Sequence, residues 1–169
     1  MAPPESHKEV ANFLKDKVEG EAKIAAFRDN NDSNPIPVGE FGSGKKKLYS
    51  SIGAFDMHLN LPLGNFEFAS YGDLDWLPNV IASSIYWLKE RSCSEWPLVC
   101  EDVVKHNAKS TYRHMAYVPA TFALKVTTGQ EIQWLLGVPI TDKEVGISVG
   151  QALEKAKLIY PEWLFRENA

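Results

Sequence analysis

Four histidines, two cysteines and a few acidic pairs are the residues of this chain best equipped for chemistry. Zinc-binding histidine pairs share one helical face at i, i+4, and His7, His58, His106 and His114 never recur at that spacing. Asp56 and His58 flank Met57, an alternation that puts two donors on one face of a strand, where a polar edge is a commoner outcome than a ligand pair. Cys93 and Cys100 have neither zinc-ligand nor redox-motif spacing and no histidine beside them, so they read as reduced, structural thiols. The carboxylates of Glu101-Asp102 and Asp73-x-Asp75 suit helix caps and solvent better than paired acid/base work. A small hydrolase or transferase built on this inventory would have to use His58, His106 or Cys93. The motifs assign no catalytic residue, no metal site and no cofactor.

One stretch comes within a residue of a phosphate-binding loop. Gly39-Glu-Phe-Gly-Ser-Gly44-Lys45-Lys46 has the glycines and the lysine, but Lys46 stands where Ser or Thr would hold magnesium. Residues 48–55 have the composition of a strand rather than of the helix whose N-terminus would face a phosphate. A hairpin turn is the expectation there.

The elements that would position these residues are legible from periodicity. Ile132, Trp134, Leu136 and Val138 alternate on one strand face while Leu135 and Gly137 keep the other apolar, so 131–138 reads as a central strand buried on both sides. Pro139 ends its ladder, and Thr141-x-x-Glu144 is a capping box expected to open a last helix over 142–158, with Val145, Val149, Ala152, Leu153 and Ala156 inward. Gly146 and Gly150 lower the propensity of that helix but would let it lie close to the sheet. Val10, Phe13, Leu14 and Val18 mark an amphipathic opening helix over 6–19. Strands are expected at 23–28, 38–41, 48–55 and 66–71, with an Asn/Asp/Ser/Pro turn over 29–37 and another turn at 62–65. A helix with Pro78 in its first turn runs to about residue 90, capped by Asp73 or Asp75. Its Tyr86 and Trp87 widen the apolar surface beyond one stripe, for burial or for a partner. A short strand is expected over 100–106, irregular to extended chain over 112–118, and a hairpin of 122–127 with the central strand. The whole is α+β: one domain over 1–169, a mixed, mostly antiparallel sheet packed by helices.

Composition narrows the partners. With 18 basic and 22 acidic side chains, a net charge of −4 and no basic block, the chain lacks the field that a phosphate backbone requires, so nucleic acid is not expected. The first residues carry no cationic segment followed by an apolar run, and no stretch is long and apolar enough to span a bilayer. A cytoplasmic protein with a protein or peptide partner, and none in the membrane, is the expectation.

The order of several short motifs resembles the suppressor of fused family. Tyr49-Ser-Ser-Ile-Gly53 resembles its strand ending in a hydroxyl-x-Gly motif, and Phe66-Glu-Phe-Ala-Ser-Tyr71 with the Trp76/Pro78-led helix resembles its glutamate strand and following helix. Gln133-Trp-Leu-Leu-Gly-Val-Pro-Ile-Thr-Asp-Lys-Glu144 with the following Gly150-Gln-Ala-Leu153 helix is similar to its most distinctive block, and the likeness spans 47–165. The resemblance implies an α+β protein-binding domain without known enzymatic activity. The animal member restrains a zinc-finger transcription factor by holding a short peptide as an added strand, whereas bacterial relatives look like immunity proteins that neutralise a sister cell's toxin. The chain lacks the animal protein's long C-terminal half, which favours a cognate toxin over a transcription factor, with a regulatory peptide-binding module as the alternative. By position, the implied partner-binding edge falls at 100–106 beside the helix bearing Tyr86 and Trp87, through Val103, Val104 and His106.

Overall fold

The structure is a computed structural model that describes residues 2–28, 34–62 and 64–167. Its centre is a seven-stranded mixed sheet in the order β1-β2-β3-β4-β7-β6-β5. The strands are β1 (Ala22–Phe27), β2 (Ile36–Phe41), β3 (Lys47–Ser51), β4 (Asn65–Gly72), β5 (Leu98–Cys100), β6 (His114–Lys125) and β7 (Glu131–Ile140). Every neighbouring pair is antiparallel except β4 with β7, which run parallel from Asn65↔Ile132 to Ala69↔Leu136. This is the α+β architecture that the periodicity predicts.

The period-two patterns decide which face each strand buries where. Trp134, Leu136 and Val138 of β7 face a core shared with α1 (Glu5–Lys17) and α3 (Val149–Ile159), while Leu135 faces a second core under α2 (Leu77–Lys89). Phe66 and Phe68 of β4 join the α2 core together, and Ala69 points the other way. Helices therefore cover both faces, which is why the central strand is apolar on both. The near-P-loop stretch closes β2 onto β3 in an antiparallel pair, as a hairpin turn would.

Several expectations need correction. The Thr141–Glu144 capping box exists, but it opens only a 3-10 turn over Asp142–Glu144, and a second box, Ser148 with Gln151, starts α3 seven residues later than expected. Consequently Val145 and Val149 are 38% and 40% exposed instead of inward, while Ala152 and Ala156 are buried as predicted. A side chain at Gly146 would meet nothing within 4 Å, so that glycine marks the break between the two helical pieces and brings no helix close to the sheet. α2 has no side-chain cap from Asp73 or Asp75, since Trp76 occupies the cap position. Of the segment expected to be irregular to extended over 112–118, residues 112–113 are irregular and 114–118 are the start of β6, and the 48–55 strand ends at Ser51. Part of the expected 29–37 turn, and Leu63 of the 62–65 turn, lie outside the described residues.

Candidate functional site

α2 buries Leu77, Val80, Ile81, Ile85 and Leu88 against the sheet and leaves Tyr86 and Trp87 half-buried along one flank. Beside that flank the chain leaves β5 at Cys100 and turns through 101–107 before entering β6 at His114. Between helix and turn lies an open groove of about 560 Å³, lined by Tyr86, Trp87, Glu90 and Arg91 on one side and by Glu101, Asp102, Val103 and His106 on the other. The Arg91 guanidinium stacks 4.0 Å from the Trp87 ring centre and donates to the Trp87 carbonyl at 2.7 Å. Such stacking holds a long cation flat on an aromatic plate and fixes both side chains. The Tyr86 hydroxyl lies 3.0 Å and 2.9 Å from the carbonyls of Phe27 and Asn34, so its polar end is engaged by the chain at the end of β1 and just before β2.

Four charged or titratable groups lock the turn. His114 is buried; its Nδ1 accepts from the Asp102 N–H at 2.8 Å, and its Nε2 lies 2.7 Å from Asp142 Oδ1. With Nδ1 accepting, the ring carries its proton on Nε2 and donates it to Asp142. Arg113 spans the two carboxylates, at 2.9 Å from Asp142 and 3.3 Å from Asp102. The His114 hydrogen bond, ahead of the charge of Arg113, holds the Asp142 carboxyl below its ordinary value. Asp102 itself has a positive φ of 58°, a conformation that aspartate tolerates better than most residues. Asn107 then ties the turn to α2 by donating to Ser83 Oγ at 2.9 Å.

Tyr86, Trp87, Val103 and His106, named from sequence as partner-binding residues, thus line one groove. The strand expected over 100–106 does not form. β5 stops at Cys100, and Val104 and Lys105 donate their N–H groups to the Arg113 carbonyl at 3.0 and 3.2 Å. Val103 and Val104 are 3% and 0% exposed and belong to the α2 core; Val104 does not line the groove. The physical reason is apolar burial: two adjacent valines are better satisfied by a turn that tucks both inward than by a strand that would expose one. Residues 101–107 therefore form a turn and present no extended row of backbone groups for strand addition.

The residues held in reserve for an enzyme do not converge. His58 lines a small cavity with Leu59, Leu61 and Phe66, His106 lines the α2 groove, and Cys93 lines neither. Asp56 pairs with His7 at 2.7 Å rather than with His58. Burial raises the thiol pKa of both cysteines, most strongly at Cys100, which disfavours a thiolate. Among the described residues no group of three His, Cys, Asp or Glu side chains could hold a metal ion, and no helix is long and apolar enough to cross a membrane.

Two further features escape the periodicity arguments. Glu67 of β4 is wholly buried: it accepts from Ser51 Oγ at 3.0 Å and from the Gly53 and Ala54 N–H groups at 2.7 Å each. The left-handed φ of Gly53, +98°, curls the loop over the carboxylate, and a side chain there would strike the His7 ring. Burial pushes Glu67 up to about 8, against the pull of these donors. The second is an apolar groove of about 360 Å³ where β4 and β7 diverge beyond Ala69 and Leu136, lined in part by Tyr71, Leu74, Tyr112, Pro139 and Ile159. The only hint in sequence is Leu158-Ile159, extra apolar residues off the inward stripe of α3, where Leu158 is 88% exposed.

Comparison with protein-family models, curated proteins and solved structures returns no match.

Proposed function

We propose that this chain is a non-enzymatic protein-binding domain that engages a basic protein through the groove between α2 and the 101–107 turn, and that this partner is a cognate toxin neutralised in an immunity pair. The observation that carries the proposal is the composition of one groove: an aromatic plate, Trp87 under Arg91, beside the carboxylates of Glu90, Glu101 and Asp102. Tryptophan, tyrosine and arginine are the side chains that most often dominate interface energies, because they bury large area with few rotatable bonds to freeze. Carboxylates around them add steering toward a positive surface, in keeping with the overall charge of −4. The toxin as partner class rests on the resemblance to single-domain bacterial relatives of suppressor of fused.

The test is co-expression of the tagged chain with the products of its neighbouring genes, followed by pull-down and growth rescue. The expected result is capture of a toxic neighbour with rescue, with affinity falling by about tenfold or more in Trp87→Ala and association slowing as salt is added. Rescue and affinity unchanged in both Trp87→Ala and the charge reversal Glu90→Lys/Glu101→Lys would remove this groove as the binding surface. Capture of no neighbour would remove the immunity role.

A further inference from the structure

β1 is a strand whose two faces are both in water. Ala22, Lys23, Ile24, Ala25 and Ala26 are exposed, Ile24 by 57%, and only Phe27 is partly buried. Burial therefore does not explain why Ala22-Lys-Ile-Ala-Ala-Phe27 stays extended. It pairs on one side only, along an unbroken register from Ala22↔Phe41 to Phe27↔Ile36. An antiparallel ladder alternates, so the direction of each backbone group follows from one bond. Gly42 donates to the Glu21 carbonyl at 2.9 Å, which makes Glu21 and then Lys23, Ala25 and Phe27 the residues bonded to β2. The N–H and C=O groups of Ala22, Ile24 and Ala26 consequently point away from the sheet, and among the described residues no strand meets them.

The protections usual on such an edge are nearly missing. It has no proline, no bulge and no covering loop among the described residues, and one lysine, Lys23. The outward row has a further property: it is symmetric about Ile24.

We infer that β1 is a self-association edge, pairing antiparallel with β1 of a second copy about a two-fold axis at Ile24. In that register Ile24 lies opposite Ile24 of the partner copy, and Ala22 lies opposite Ala26, so all three outward residues exchange hydrogen bonds. The same three side chains share one face of the sheet, the face of Phe41 and Gly39, and would close an uninterrupted apolar row across the seam. On the other face Lys23 meets Ala25. Centring the axis one residue earlier would set Lys23 against its own copy, a like-charge contact, and centring it one residue later would leave Ala22 outside the strand pairing. Self-pairing is favoured over a foreign strand because this sequence is its own complement: the apolar row reads alike in both directions. A seam of two six-residue strands lies at the small end of protein interfaces, so the dimer is weak.

The test is sedimentation velocity of the full chain across a concentration series, with two kinds of variant. Ile24→Pro removes only an outward N–H and leaves the ladder to β2 intact. It should raise the dimerisation midpoint by about tenfold or more, the equivalent of losing the net stabilisation of one or two hydrogen bonds, with an unchanged melting temperature measured at concentrations where the chain is monomeric. In a Cys93→Ser background, Ile24→Cys should oxidise to a disulfide-linked dimer, because residues opposite each other in a ladder come within disulfide range, whereas Ala22→Cys alone should not. A chain that stays monomeric throughout the series overturns the inference. So does a dimer indifferent to Ile24→Pro, or one that cross-links as readily through Ala22→Cys as through Ile24→Cys.

Discussion

The two ends of the sheet solve the same problem in opposite ways. At one end β5 has three residues, two of them buried, and the chain folds over it immediately through a turn pinned by His114, Asp102 and Arg113. At the other end β1 has six residues, none of them buried, and among the described residues no strand pairs with its outer side. An outer strand exposes a row of unpaired backbone groups in either case. The contrast teaches that burial and closure are separable: β5 is held by its core side chains and its turn, while β1 is held by its hydrogen bonds to β2 and by whatever pairs with its outer row. Between the two ends stands Glu67, whose carboxyl group ties the end of β3 and the 53–54 backbone to β4.

The largest expected effect comes from cutting that tie. Glu67→Ala would orphan three buried donors, on Ser51, Gly53 and Ala54, at a cost of about 3–6 kcal/mol, read by urea unfolding. The same residue gives a pH dependence of defined sign. Its carboxyl is raised from 4.5 to about 8 in the folded chain, so the folded state binds the proton more tightly than the unfolded one. The contribution of this group to stability is therefore greatest below about 4.5, is lost as pH rises through about 8 and is level above it. Glu67→Gln, whose amide does not titrate, should lack that slope. An unfolding free energy of the parent chain that is flat from pH 5 to 8, within the ~10–15% error of its extrapolation to water, would show that Glu67 does not set its pH dependence.

Next in size is the same truncation made at both ends. Leu98, 2% exposed in β5, packs in the α2 core, and Leu98→Ala should destabilise the chain by about 2–4 kcal/mol through lost contacts and a cavity. Ile24→Ala in dilute protein should stay within about 0.5 kcal/mol of the parent, since it removes no buried contact. Equal losses at the two positions would break the distinction between a buried edge and an open one. A loss at Ile24 that appears only as concentration rises would sharpen it, by assigning the worth of Ile24 to a second copy.

The sequence made the middle of this molecule easy to read and its borders hard. Alternation located β4, β7 and the two-faced burial of Trp134, Leu135 and Leu136, because a strand packed on both sides leaves an apolar run that little else produces. Capping boxes announced helix starts correctly as local chemistry, yet Thr141–Glu144 caps a mere 3-10 turn. Whether a first turn continues depends on what its next residues can bury, and Val145-Gly146 had nothing to pack against. The 100–106 segment misled for a related reason: Val103-Val104 has strand composition, but its side chains are spent on the core from within a turn. Of the candidate site, Tyr86 and Trp87 showed themselves as surplus to the stripe of α2, and His106 fell beside them. The carboxylates around the groove and the Glu67 cage are assembled by contacts distant in sequence, for which periodicity carries no signal. Ser51-Ile52-Gly53 and Glu67 appeared as separate motifs and meet only in three dimensions.

A smaller effect than that of Leu98→Ala tests what closes the β5 end. His114 is the piece that reads both sides of the lock, accepting from the Asp102 N–H and holding Asp142. In His114→Ala the Asp102 amide, in its left-handed conformation, loses its acceptor, and Asp142 keeps only Arg113, so a loss of about 1–2 kcal/mol is expected. Global stability alone would not separate a loosened turn from a weakened core. Amide hydrogen exchange does: Val104 and Lys105, which donate to the Arg113 carbonyl, should exchange faster in the variant, while the amides of β4 slow or quicken only with global unfolding. If protection at Val104 and Lys105 fell in step with that of β4, the turn would be held by its two buried valines rather than by the histidine. The β5 end would then owe its closure to apolar packing, and polar locking would drop out of the contrast with β1.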